Sequence, residues 1–336
     1  MSDLYVDKHS NLLILGRAAN DFAVGEVVYS EDYEEVLAQY GESDLSRAFK
    51  EAQDMGVKYI FVMNLRLVDD YFKVADILKE GDFAYIAFAS LLLSDTFQDT
   101  FNSGLYHSVL AYLLGTIGHN CNSTFVVTGE HASLYEDIDA FLKDMNTQRK
   151  EFLSYCSSRA ELRNLIFVAN NLRSYKNAAV PLAAALCTTP VYAYPTSYKF
   201  GEAIFDIDAW DCPGEMAYFR SNLTRETTVE NLINMMQSDE PEKVVFVDRI
   251  MKFIMRDIEY QEFKGHQYTA YKKLLFEEKL TQYMESIMDK VIKDYSIDKI
   301  EAIHDGPGTV MLSASLRVVP VGCLEVCSLR KDVQVG

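Results

Sequence analysis

VVYSEDYEEVLAQYGESDLSRAFKEAQDMGVKYIFVMNL, residues 27–65, packs two strands and two helices into one short stretch. Val27, Val28 and Tyr29 form an apolar run that ends on Ser30. Ser30 is placed to cap a helix over 31–39, because a serine hydroxyl can accept from the free N–H groups of a first turn. Acids fill that first turn, and Gly41 stops the helix. Ser43 or Asp44 caps a second helix that runs to Met55, with Gly56 as its stop. Tyr59, Ile60, Phe61, Val62 and Met63 then read as a buried strand.

The alternation extends in both directions. Residues 12–16, 83–89, 124–127 and 165–169 are short apolar runs with strand character. Between them, 106–117 reads as an apolar helix, 131–156 as a mostly polar one and 177–187 as an alanine-rich one. Repeated strand–helix units predict an α/β sheet covered by helices. From 188 to 228 the periodicity is lost among Pro190, Pro195, Gly201, Pro213 and Gly214, which predicts loops and short strands. A short helix over 229–236, a strand over 244–247 and a helix over 249–259 follow.

A long helix is predicted next, with Leu280, Tyr283, Met284, Ile287, Met288, Val291, Ile292 and Tyr295 along one face. His304, Asp305, Gly306, Pro307 and Gly308 make a turn. In the strand after it, Val310, Leu312, Ala314, Leu316 and Val318 face one way, and Ser313, Ser315 and Arg317 the other. Residues 324–329 and 333–335 form a final extended piece. The whole is α+β in overall class, and an apolar last strand leaves a sheet edge to be paired within the subunit or with a neighbour.

Composition narrows the partners. With 336 residues and a 49% hydrophobic share, the chain can bury one large core or two smaller ones. Its formal charge is −18, and its lysines and arginines form no cluster, which argues against binding a phosphate backbone or an anionic membrane. Proteins are the expected partners. Six scattered cysteines and a start (Met1, Ser2, Asp3) unlike a signal peptide fit reduced thiols in a cytoplasm. The sequons at Asn122 and Asn222 are then chance matches. The apolar run 83–93 is too short to span a bilayer.

Candidate chemistry is thin. Tyr268 and Lys272 have the spacing at which a helix stacks a tyrosine on the lysine of a short-chain dehydrogenase, which gives an oxidoreductase as the rival reading. That reading needs a glycine-rich turn after the first strand, where only Gly16 stands before Arg17, Ala18 and Ala19. Asp206, Asp208 and Asp211 around Trp210 lack the glycine and distal glutamate of a calcium loop and read as a solvated turn. His107, His119 and Cys121 match no common zinc spacing, and Cys323 and Cys327 read as packed or exposed thiols. No metal or cofactor is expected. Glu31, Asp32, Glu34 and Glu35 belong to a stretch with no base between Glu26 and Ser46, either a solvated helix face or a contact for a basic surface.

The order of elements resembles the contractile-tail sheath proteins. Val27 to Ser30, then Tyr33, Tyr40 and Gly41, then the helix to Gly56 and the strand from Tyr59, match the start of that family. A long helix, a turn, a strand over 312–320 and a closing segment over 323–335 match its end. The Pro-Ser-Gly-type turn before the alanine-rich helix is reduced to Pro181, and Val245 to Arg249 stand where a Trp-Gly-Ala-Arg-like segment belongs. The resemblance implies a structural subunit that stacks in rings around an inner tube and contracts. Terminal arms would insert as strands into neighbouring subunits, with Leu324, Val326, Leu329 and Val333 as the side chains received. It further implies a central domain over 21–236, and an inner assembly domain made of 1–20 and 237–336. The implied partners are further copies, a tail tube protein, and baseplate and tail terminator proteins, in a virion tail assembled in the host cytoplasm. A phage tail and another contractile injection system both fit.

Overall fold

The computed structural model describes residues 10–66, 68–80, 83–90, 92–93, 113, 123–156, 161–193, 198–208, 216–221, 226–233, 235, 241–259, 269–304 and 310–321. Six strands form one sheet: β1 (Asn11–Gly16), β2 (Val27–Ser30), β3 (Tyr59–Asn64), β4 (Tyr85–Phe88), β5 (Thr124–Thr128) and β6 (Leu165–Val168), in the order β2-β3-β1-β4-β5-β6. All pairings are parallel except that of the edge strand β2 with β3. A parallel sheet must be covered on both faces, and β1 shows how. Leu12 and Ile14 belong to one buried cluster, and Leu13 and Leu15 to another.

The first cluster is roofed by α1 (Tyr33–Tyr40), α2 (Asp44–Asp54) and α5 (Ala179–Thr188). The second is roofed by α3 (Val68–Glu80) and α4 (Ile138–Tyr155). Helix α5 is buried at every position from Ala179 to Cys187, and its alanines let it lie close on the sheet. Asn177 holds its start. The amide donates to the carbonyls of Phe88 (2.9 Å) and Ala89 (3.2 Å), while Oδ1 accepts from Ala179 N–H (2.8 Å).

The expected caps are largely present. Gly41 and Gly56 close α1 and α2 at φ of 69° and 86°, and Ser43 caps α2 in a reciprocal box with Ser46. The cap of α1 is Asp32 rather than Ser30, because Asp32 accepts from Glu34 N–H (3.0 Å), while the Ser30 hydroxyl accepts from Asp32 N–H (3.1 Å). The expected helix over 106–117 lies outside the described residues apart from Leu113. Helix α3 had no sequence expectation. Val74, Ala75 and Leu78 are buried, Ile77 packs beside them, and Asp70 at its start accepts from Arg66 N–H (2.9 Å).

Three expectations after Thr228 need correction. Residues 227–230 form β8 (Thr227–Glu230), paired antiparallel with β7 (Tyr218–Ser221), not the start of a helix. Two threonines and a valine favour the pleat, and Asn231 at φ 52° turns the chain away. No strand forms over 244–247. α6 (Pro241–Glu259) runs through it, with Pro241 at the first helical position and Val245, Phe246, Ile250, Phe253 and Ile254 buried at helical spacing. The long helix α7 (Ala270–Ile287) stops before Tyr295. Asp289 adopts φ 61°, its N–H donates to Ile292 O (2.8 Å), and β9 (Ile292–His304) begins.

The chain divides into two compact units, Met1–Pro190 with Pro195–Arg256, and Val191–Tyr194 with Asp257–Gly336. Residues 10–20 fall in the first unit of this division. β1 is bonded on both edges inside the first unit's sheet. The boundary falls after Arg256, inside the last turn of α6, and the rest of that helix belongs to the first unit. Arg249 reaches Tyr85 Oη (3.1 Å) and the carbonyls of Leu186 (3.2 Å) and Thr189 (3.1 Å), and Lys252 reaches Thr124 Oγ1 (2.8 Å) and Asp248 (2.7 Å). In the second unit α7 buries Phe276, Leu280, Met284 and Ile287, and β9 pairs antiparallel with β10 (Val310–Pro320).

Asn177→Ala removes the bonds that tie α5 to the end of β4 and leaves buried carbonyls unmatched. The expected cost is about 1–3 kcal/mol, read as a lower urea midpoint at unchanged slope. An unchanged midpoint would show that Asn177 does not anchor α5.

Candidate assembly surfaces

The acidic stretch around α1 has local tasks. Asp32 caps the helix, and Glu34 and Glu35 sit in its first turn, where the dipole favours anions. Glu35 accepts from Ser30 Oγ (2.8 Å) and Gln39 Nε2 (3.3 Å). Tyr29 donates its hydroxyl to Glu31, and that bond, followed by burial, pushes the phenol up to about 12. All four acids are exposed, and among the described residues none is in an ion pair. Tyr29 itself is half exposed at the open edge of the sheet, with its ring 6.4 Å from Tyr59 and 5.1 Å from Phe61.

The dinucleotide reading fails on the turn after β1. The N–H of Arg17 donates to Ser90 Oγ (2.8 Å) and that of Ala18 to Asn64 Oδ1 (3.0 Å), so the amides a pyrophosphate would need are in use. The turn leads to a loop and the antiparallel β2, not to a helix. A Cβ at Gly16 would meet Ala89 Cβ and Ser90 Oγ, each at 3.0 Å. Lys272 lies in the first turn of α7, and Tyr268 is outside the described residues. So are His107, His119, Cys121, Trp210, Asp211, Cys323 and Cys327. Asp206 faces Arg220 at 3.7 Å, and Asp208 is exposed. Among the described residues no group of three or more His, Cys, Asp or Glu side chains is placed to hold a metal ion.

An α/β sheet that binds a ligand does so beyond the carboxyl ends of its strands. Here those ends are laced by asparagines that the sequence reading did not single out. Asn64 donates to the carbonyls of Asn20 (3.0 Å) and Phe22 (3.1 Å). Asn170 donates to Gly129 O (3.1 Å) and Lys176 O (3.2 Å), and Asn171 to Phe205 O (3.1 Å) and Phe219 O (2.8 Å). Their only sequence signal is position, directly after apolar strands.

The second unit is built differently. β9 has 13 residues and β10 has 11, and they form a two-stranded sheet with no third strand among the described residues. Leu312, Ala314, Leu316 and Val318 are half-buried and Ser315 and Arg317 are exposed, as the alternation predicts, but Ser313 is half-buried as well. A register shift falls between Ser315 and Leu316. Leu324, Val326, Leu329 and Val333 lie outside the described residues.

Solved structures share this arrangement along nearly its whole length. One chain of the baseplate of the anti-feeding prophage matches with a TM-score of 0.68 at 11% identity, over 98% of this chain and 94% of that one. A chain of the same system's helical sheath in its contracted state matches at 0.62 and 11% identity, over 97% and 94%. The chain has the fold of a contractile sheath protein. The sheath tail protein Lin1278 from Listeria innocua matches at 0.60 and 11% identity, over 93% of this chain and 97% of that one. No protein-family model and no curated protein matches the sequence. The sheath fold is thus carried by apolar pattern and element order, with few residues in common.

Proposed function

We propose that this chain is the subunit of a contractile sheath, which polymerises around an inner tube and shortens to drive that tube through a cell envelope. The observation that carries this reading is the fold likeness over nearly the full length of both chains, including a sheath in its contracted state. The chain is then a structural protein without catalytic residues or cofactor. Its partners are further copies of itself, a tube protein, and baseplate and tail terminator proteins. The assembly is a virion tail or a related injection apparatus, built in the host cytoplasm.

The hairpin in the second unit supports this physically. A two-stranded sheet is marginal in water by itself, and both outer edges of β9 and β10 can accept a strand. Strands from neighbouring copies supply the missing pairs, and main-chain bonds of this kind hold while rigid bodies move. Residues 322–336 are the donor in this reading, with Leu324, Val326, Leu329 and Val333 as the side chains received. Glu31, Asp32, Glu34 and Glu35 form a contact for a basic surface on another protein.

Expressed alone, the protein is expected to form tubes or rings by negative-stain electron microscopy. A persistent monomer at high concentration would count against the reading. Deleting 324–336 is expected to leave a folded chain, judged by circular dichroism, that no longer polymerises. Normal tubes from that truncation reject the donor strand. Glu31→Lys with Glu34→Lys keeps the Asp32 cap and is expected to shift the salt concentration at which the assembly dissociates. The same salt midpoint as the parent would remove the acidic contact.

A further inference from the structure

The sheet carries an aromatic corner beside the open edge of β2. Tyr29 lies opposite Phe61 in the β2–β3 register. Its ring stands 5.1 Å from that of Phe61 and stacks on Tyr59 at 6.4 Å, with 27° between the planes. Phe61 in turn meets the buried Phe83 edge-on at 5.3 Å and packs against the second cluster, so the base of the corner is fixed. Its outer side is uncovered. Tyr29 is 40% exposed, and Tyr59 and Phe61 are half-buried. The charge at its rim has one sign. Glu31 accepts from the Tyr29 hydroxyl through Oε1, and its Oε2 has no partner among the described residues. The Glu31 carbonyl accepts from Gln53 Nε2 (2.8 Å), which ties this position to α2. Asp32 and Glu34 follow, both exposed.

We propose that this corner seats an arginine of a basic protein partner, its guanidinium stacked on the Tyr29 ring and bonded to the unclaimed oxygen of Glu31. A carboxylate accepts at both oxygens, so the bond from Tyr29 leaves room for a second donor. A guanidinium is planar, stacks on aromatic rings and presents its donors in a fork, where an ammonium does neither. The kind of partner follows from charge. A chain of net charge −18 disfavours a second acidic surface and draws a basic one. Side chains carry this contact, because β2 offers only four residues of main chain to a pairing strand. The inference rests on the acidic contact proposed above and narrows it to Glu31 with its aromatic neighbours. It does not depend on the sheath reading.

The test is fluorescence anisotropy of the full chain with a rhodamine-labelled glycine–serine peptide that carries two arginines. The same peptide is made with lysine, which keeps the charge, and with citrulline, which keeps the plane. The arginine peptide is expected to bind more tightly than either. Y29L and E31Q are each expected to weaken it by about 2–5-fold. E285Q removes an equal charge from an exposed acid of the second unit and is expected to change nothing. No saturable binding, equal affinity for the arginine and lysine peptides, or the same loss in E285Q as in E31Q would overturn the seat. If Y29L does not fold, the three peptides on the parent decide. A shifted salt midpoint for Glu31→Lys with Glu34→Lys, without arginine preference here, would keep the acidic contact and remove the seat. Self-association that Y29L abolishes, with no peptide bound by the parent, would give the corner to a second copy instead.

Discussion

β1 is buried on both faces and bonded on both edges. Leu12, Leu13, Ile14 and Leu15 are fully buried, while β3 and β4 take the two edges. Such a strand cannot exist until helices cover both sides, which is why this unit is layered as it is. α5 meets the requirement on one face by being almost all alanine, valine and leucine. On the other face α3 and α4 do so with larger side chains, among them Leu78, Phe141 and Phe152. The carboxyl ends of the strands are then closed by Asn64, Asn170, Asn171 and Asn177, whose amides bond to main chain. An amide buried with its bonds made costs little, which holds for Asn64, Asn171 and Asn177, whose Oδ1 atoms also accept, whereas Asn170 Oδ1 is buried without a partner among the described residues.

The two units therefore treat main-chain hydrogen bonds in opposite ways. In the first, the edge strand β6 is covered: Ala217 exchanges bonds with Phe167 and Ala169, and Met235 N–H reaches Leu165 O (2.9 Å). The other edge, β2, is only four residues long. Short and covered edges discourage pairing with other chains. In the second unit a hairpin of 13 and 11 residues has long outer edges with no third strand among the described residues.

The sheet was legible because its signals are local. Glycines at φ 69° and 86°, a Ser43 cap and runs of apolar residues each fix their own neighbourhood. The errors arose where one apolar pattern fits two periods. Val244 to Val247 reads as a buried strand until the recurrence at Ile250, Phe253 and Ile254 is weighed with it. Met288, Val291 and Ile292 continue the spacing of α7, and only the left-handed Asp289 turns them into the start of β9. The asparagine lacing was illegible for a different reason. Its partners lie as far as 89 positions away, so nothing near Asn177 announces it. The acids of α1 were visible as a run, but the cap by Asp32 and the bond from Ser30 to Glu35 give that run a structural cause beyond any contact.

The bonds made by α6 also set an order in time. Arg249 joins Tyr85 across 164 positions, and Lys252 joins Thr124 across 128. A ribosome releases residues in sequence, so the amino ends of β4 and β5 stay unfinished until α6 has emerged. The hairpin with its open edges comes later still. A growing chain thus completes the sheet of the first unit only after α6 is out, and the β9–β10 hairpin follows it.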